Sequence, residues 1–177
     1  GKITGATGGS AITVTDGNLN NSGLLSGVTS LATASDADFT AGADYSITNS
    51  GAIEAAGTGE LALNANNFAD ARPVADATGK VKNDTTGSIA NTGNIYLGTA
   101  TGLTATAYND LTLGGLLFAG ATPAPVTSDD AWTGAVSLTA NGALTVTAPI
   151  YVTGTNNNVT LTGSVVRAMA DVSSATG

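Results

Sequence analysis

The sequence predicts an all-β chain wound as a β-solenoid, and three observations point there. The first is a degenerate repeat. Ile89-Ala90-Asn91-Thr92-Gly93-Asn94-Ile95 is echoed by Ile47-Thr48-Asn49-Ser50-Gly51-Ala52-Ile53 and, with leucines at its ends, by Leu19-Asn20-Asn21-Ser22-Gly23-Leu24-Leu25. Each copy sets an aliphatic residue on either side of an Asn-Ser/Thr-Gly turn, since Asn and Gly tolerate left-handed backbone. The second observation is composition. Hydrophobic residues make up 42%, mostly Ala, Val, Leu and Ile, with 5% aromatic, 24 glycines and only 10% charged, where ordinary domains carry about a quarter charged residues. Recurrent β-formers between short glycine breaks exclude both a helical bundle and simple disorder. The third observation is spacing. Ile47 and Ile89 open copies 42 residues apart, which predicts two coils of about 21 residues each, a length that belongs to stacked solenoid repeats. Leu19 and Ile47 lie 28 apart, so an irregular loop between Val28 and Asp44 is expected to absorb the difference. With strands about 4.8 Å apart, some eight coils would give a rod of roughly 40 Å. The alternative all-β fold is a β-sandwich or jelly-roll subunit whose terminal segment, Lys2 to Thr15, completes the sheet of the next subunit by strand addition.

The elements follow in order as one domain over residues 1–177, with residues 1–10 read as a flexible, glycine-rich lead. Ala11 to Thr15 alternates like a half-buried strand and stops at Asp16-Gly17-Asn18. The first repeat copy comes next, and Tyr45-Ser46-Ile47-Thr48 resumes the alternation into the second. Gly57-Thr58-Gly59 is a turn before the alternating Leu61-Ala62-Leu63-Asn64. Residues 65–86 hold Pro73 and most of the bases, which reads as a surface insertion. The pattern returns at Ile89 and runs through Ile95-Tyr96-Leu97, Leu103 to Ala107 and Leu111-Thr112-Leu113. Leu116-Leu117-Phe118 fits a strand buried on both faces. A second insertion is expected at 121–130, with Pro123 and Pro125. Beyond Trp132 come Val136-Ser137-Leu138, Leu144 to Thr147, Ile150-Tyr151-Val152 and Val159 to Thr162, and the pattern fades after Val165-Val166.

Charge and residue types then exclude whole classes of function. Thirteen acids against five bases give a net charge of −8, which is unfavourable for nucleic acid, whose phosphates demand Lys and Arg. Arg72, Lys80 and Lys82 cluster, but Asp70, Asp76 and Asp84 lie among them, so a solvated loop is the simpler reading. Without histidine or cysteine, imidazole bases, thiol nucleophiles, disulfides and histidine-ligated metals are all excluded. No stretch of about 18 apolar residues is present to insert into a membrane as a helix. The chain opens on Gly1 with no charged-then-apolar leader, so its start reads as processed or excerpted.

Asn91-Thr92-Gly93-Asn94-Ile95, Asn49-Ser50-Gly51-Ala52-Ile53 and Gly59-Glu60-Leu61-Ala62-Leu63-Asn64-Ala65 resemble the repeats of filamentous-haemagglutinin-like proteins, with Asn141 to Ala148 similar in flavour. The resemblance spans about residues 45–165. It implies a secreted or cell-surface bacterial protein, a right-handed parallel β-helix and a role in adhesion. The 28-residue interval and the lack of a secretion-domain motif depart from that family.

Four groups of side chains invite a chemical reading. Carboxylates alone can cleave glycosides, and the candidate pairs are Asp36 with Asp38 and Asp129 with Asp130; both sit in turn-like stretches where Asp is ordinarily a turn residue. Calcium needs only oxygen ligands, but no recognisable calcium loop is present. Asn156, Asn157, Asn158 and Asn141, with the motif asparagines, are candidates for an internal amide ladder. Trp132, Tyr96, Tyr108 and Tyr151 are candidates for stacking on sugar, though such residues more often fill a core. Sequons at Asn20, Asn83 and Asn158 carry no weight in a chain this rich in Asn, Ser and Thr. The expectation is a non-enzymatic extracellular structural protein, with no catalytic, cofactor or metal residues, that self-assembles into a filament or surface layer on a bacterial or archaeal cell. Its partners would be copies of itself, with surface glycans as a second class. An adhesin or carbohydrate-binding module of a larger secreted protein is the alternative.

Overall fold

A computed structural model describes residues 2–4, 9–15, 17–34, 45–65, 73–75, 81–83, 87–119, 132–154 and 157–175. The described chain is all-β, with parallel strands and no helix. The antiparallel sheets of a sandwich or jelly roll are not what it forms. Antiparallel pairing is confined to one hairpin, β8 (Pro73–Ala75) with β9 (Val81–Asn83), inside the stretch read as an insertion.

The six-stranded sheet shows how the chain is laid down. It contains β3 (Leu19–Asn21), β5 (Ile47–Asn49), β10 (Ile89–Asn91), β13 (Leu111–Leu113), β16 (Ala143–Val146) and β19 (Val165–Ala168), paired in parallel and in sequence order. Leu19 stands beside Ile47, Ile47 beside Ile89, Ile89 beside Leu111, Leu111 beside Leu144, and Leu144 beside Val166. Each round of the chain therefore returns to the same column. The ten-stranded sheet carries the rest of each round. Its long strands are the second half of β4 (Leu24–Ala34), β7 (Glu60–Ala65), β12 (Gly102–Ala107), β15 (Ala135–Ala140) and β18 (Val159–Thr162). Short strands sit between the two columns: the first half of β4, β6 (Ala52–Ala55), β11 (Ile95–Tyr96) and β14 (Leu117–Phe118). In the last two rounds β17 (Ile150–Thr153) pairs with β20 (Val172–Ala175). Ahead of them all, β1 (Lys2–Thr4) and β2 (Ser10–Thr15) both lie against β4.

This register corrects the spacing argument. Asn91 bonds across the sheet to Asn49, 42 residues away, so that interval is one round and not two. The shortest rounds of the six-stranded sheet are 22 residues, as from Ser88 to Asp110 and from Gly142 to Ser164. The 42-residue round is a short round lengthened by the chain between β7 and β10. With six strands in the column sheet, the expected eight coils are also too many. The excess in the 28-residue interval does not begin at Val28, which is buried within the eleven-residue β4; it follows Ala34.

The alternation read from the sequence is the burial pattern observed. Leu61, Leu63 and Ala65 are buried while Glu60, Ala62 and Asn64 face out, the period of two that a strand imposes. Side chains from both sheets meet in one core that joins Leu19, Ile47, Ile89, Leu111 and Leu144 to Leu31, Leu63, Leu103 and Leu138. Leu117 and Phe118 are both buried, as expected for that strand.

Candidate functional site

The repeat motif forms one corner of each early round, and its aliphatic ends do face the core: Leu19 and Leu25, Ile47 and Ile53, Ile89 and Ile95 are all buried. Between them the Asn side chain turns inward, because it occupies the third position of a strand whose first position is a core aliphatic. Asn21, Asn49 and Asn91 are 9%, 1% and 1% exposed. Buried amides are tolerable only when paired, and these pair with each other. Asn21 Nδ2 donates to Asn49 Oδ1 and Asn49 Nδ2 donates to Asn91 Oδ1, each at 2.6 Å. The ladder also braces the turns. Asn21 Nδ2 reaches the carbonyls of Gly23 and Ala52, and Asn91 Nδ2 reaches that of Gly93. The Gly23 amide donates back to Asn21 Oδ1 at 3.1 Å.

The backbone repeats the same economy. The Asn21 carbonyl accepts from both Ser50 and Gly51, the Asn49 carbonyl from Thr92 and Gly93, and the Asn91 carbonyl from Gly114 and Gly115. Two donors on one carbonyl draw the corners of successive rounds close together. The glycines are required for that closeness: a Cβ on Gly51, Gly93 or Gly115 would overlap the carbonyl oxygen of the glycine one round earlier. Asn in the motif supplies the ladder, and Gly leaves room for the stack.

The ladder stops where the sequence changes. Asn91 neighbours Leu113, and the next residues in that column are Val146 and Ala168. Leu111-Thr112-Leu113-Gly114-Gly115-Leu116-Leu117 is a fourth copy that the motif search misses. Leu replaces its Asn, but both end aliphatics are buried and Gly115 keeps the glycine column. The other asparagines expected in a ladder are elsewhere. Asn141 and Asn158 are exposed, Asn157 Nδ2 bonds locally to the Thr153 carbonyl at 2.8 Å, and Asn156 lies outside the described residues.

The structure does not gather the sequence's candidate catalytic groups. Asp36, Asp38, Asp129 and Asp130 lie outside the described residues, as do Arg72, Lys80, Asp70, Asp76 and Asp84. Among the described residues no three His, Cys, Asp or Glu side chains come together as a metal site, and no helix is long and apolar enough to cross a membrane. Acids in the described part serve neighbouring strands: Glu54 accepts from Ser26 Oγ at 2.5 Å, Glu60 from Thr104, and Asp110 from the Ala143 amide at 2.7 Å. Trp132 is buried in the core, its ring against Gly134. Tyr96 stacks on Phe118 with ring centroids 5.0 Å apart, while Tyr108, in the bend after β12, and Tyr151, on β17, are half-buried.

The two ends of the stack differ. At the first round Leu19 is buried. At the last, β19 is exposed along its whole length: Val166 is 43% exposed where Leu144, its neighbour one round earlier, is fully buried, and Met169 is 71% exposed. Among the described residues no strand pairs with the outer edges of β18, β19 or β20.

No protein-family model matches the chain, and no curated protein and no solved structure matches it.

Proposed function

We propose that the chain is an extracellular structural protein, folded as a right-handed parallel β-helix, that self-assembles into a filament or surface layer on a bacterial or archaeal cell. One observation carries the assembly reading: β19 and β20 leave an unpaired parallel edge with Val165, Val166 and Met169 exposed. An uncovered strand edge with apolar side chains is a template for another strand. The winding is supported by the returning columns and by one shared core. Right-handedness follows from the strong bias of parallel crossover connections, about 98% of which are right-handed. The bacterial surface setting comes from the resemblance of the Asn-Ser/Thr-Gly repeats to filamentous-haemagglutinin-like proteins. Low charge with abundant Gly, Ala, Thr and Asn suits a scaffold of closely packed subunits. Electron microscopy of the purified chain at rising concentration tests the reading. Filaments or sheets are expected, and a dispersed monomer at high concentration would overturn it.

A further inference from the structure

This inference rests on the assembly reading and specifies the contact. The ends of the stack are stepped in opposite senses. At the start, β2 adds a long strand outside β4 before the six-stranded sheet has begun with β3. At the finish, β19 follows β18, the last long strand, so the stack ends on the six-stranded sheet. We propose that the open end receives the first round of a second copy, head to tail, with β19 pairing in parallel with β3 and β18 pairing in parallel with β2.

A single displacement of six strand spacings, one for each strand from β3 to β19, satisfies both pairings at once. It also keeps the columns in register. Leu19 stands beside Ile47 and so continues the column that ends at Val166. Ile12 stands beside Leu31, in the column that runs through Leu63, Ala105 and Leu138 to Leu161. Aliphatic side chains therefore meet aliphatic ones at both joints, and Arg167 meets Asn20 with no like charge opposed. The contact is heterologous and does not close on itself, so it propagates as a filament. One conflict remains, and it is informative. β20 already fills the short-strand position of the last round, which β1 of the incoming copy also occupies against its own β4. Assembly in this register requires the three residues of β1 to leave.

Three measurements test this. The filament of the unaltered chain should repeat axially at roughly 29 Å, six spacings of about 4.8 Å. A repeat of about 34 Å would mean that β1 stays in place and would overturn the displacement. The chain has no cysteine, so Arg167→Cys on one copy and Asn20→Cys on another give a clean probe. Facing positions on neighbouring strands lie within disulfide reach, and oxidation of the mixture should yield the covalent dimer, while Thr145→Cys with Asn20→Cys should not. Deleting residues 2–4 should lower the concentration needed for filaments roughly tenfold, equivalent to about 1.4 kcal/mol; a higher threshold would count against the inference. Filaments that form with another repeat and without the cross-link would leave the assembly reading standing and remove this junction. No filaments at all would remove both.

Discussion

Replacing the middle rung of the amide ladder is the sharpest test of what holds the early rounds in place. Asn49→Ala removes the 2.6 Å bond from Asn21, the 2.6 Å bond to Asn91 and a longer one to the Gly51 carbonyl. Asn21 Nδ2 keeps the Gly23 and Ala52 carbonyls. Asn91 Oδ1 keeps nothing among the described residues, and its side chain is 1% exposed. An orphaned buried acceptor costs about 1–3 kcal/mol, and each of the other two bonds lost adds about 1, so the expected loss is about 3–5 kcal/mol. That is a large share of a typical domain's total of about 5–15. For a chain of this length it lowers Tm by about 10 °C. Guanidinium unfolding followed by circular dichroism measures it, with Asn157→Ala as a control whose local bond is worth about 1 kcal/mol. The double variant Asn49→Ala/Asn91→Ala removes the orphan with its donor, so its loss should fall short of the summed single losses by about 1–2 kcal/mol. A loss below about 1 kcal/mol for Asn49→Ala, or strict additivity in the cycle, would refute the ladder as a stabilising unit.

Further outcomes follow from the same geometry. Gly93→Ala should destabilise by at least the 1–3 kcal/mol or so usual for overpacking, because the clashing atoms belong to the Gly51 and Ser50 backbone and cannot rotate away. Gly59→Ala, with nothing near its added methyl, should leave the unfolding midpoint unchanged or raise it slightly. Leu138→Ala, at a fully buried core position, should lose about 2–5 kcal/mol in the same titration. Val166→Lys should change stability by no more than about 0.5 kcal/mol, as its side chain is exposed, yet sharply reduce filaments scored by light scattering and microscopy.

The parts of the fold legible in the sequence are those whose residue types have one physical use. Alternating aliphatics in Leu61-Ala62-Leu63 can satisfy a half-buried strand and little else, and the strand is there. Asn-Ser/Thr-Gly marked the corners, and the inward turn of Asn21, Asn49 and Asn91 follows from their even spacing after a core aliphatic. Round length was misread for a definite reason. Pro73 and the clustered bases mark residues 65–86 as an insertion, but 42 is twice 21, so the interval divides into two plausible coils even though that insertion takes up about half of it. The fourth copy was missed because Leu113 replaces the Asn that defined the search. A pattern keyed on the terminal aliphatics and the glycine, Leu-x-x-x-Gly-x-Leu, would have found it. It would also have exposed the 22-residue round between Ile89 and Leu111. The exposed end had only a faint trace, since Val165-Val166 reads like any other buried pair until its neighbours are known.

The ladder spans the first two rounds of the six-stranded sheet, and the second of these is the longest in the sheet. Asn21 to Asn49 and Asn49 to Asn91 span the 28- and 42-residue rounds. The rounds that follow, of 22, 33 and 22 residues, carry no Asn in that column. Lengthening a round from 22 to 42 residues adds only about 0.6 kcal/mol of closure entropy, so stability is not what long rounds endanger. Register is. A long, loosely patterned connection lets the returning strand settle two residues away, where aliphatic again meets aliphatic and the hydrophobic pattern raises no objection. A buried amide does object: displaced by two residues, it faces an aliphatic side chain and is left unpaired, at about 1–3 kcal/mol for each group. A buried Asn fixes register in coiled coils by the same means. In the 22-residue round that follows Asn91 the tight connection already dictates where the strand lands, and Leu113 fills the column with apolar volume instead; Val146 does the same after the 33-residue round. The amide ladder is thus an added register lock over the first two rounds, the second of them the longest, while the 33-residue round from Leu111 to Leu144 holds its register by apolar packing alone.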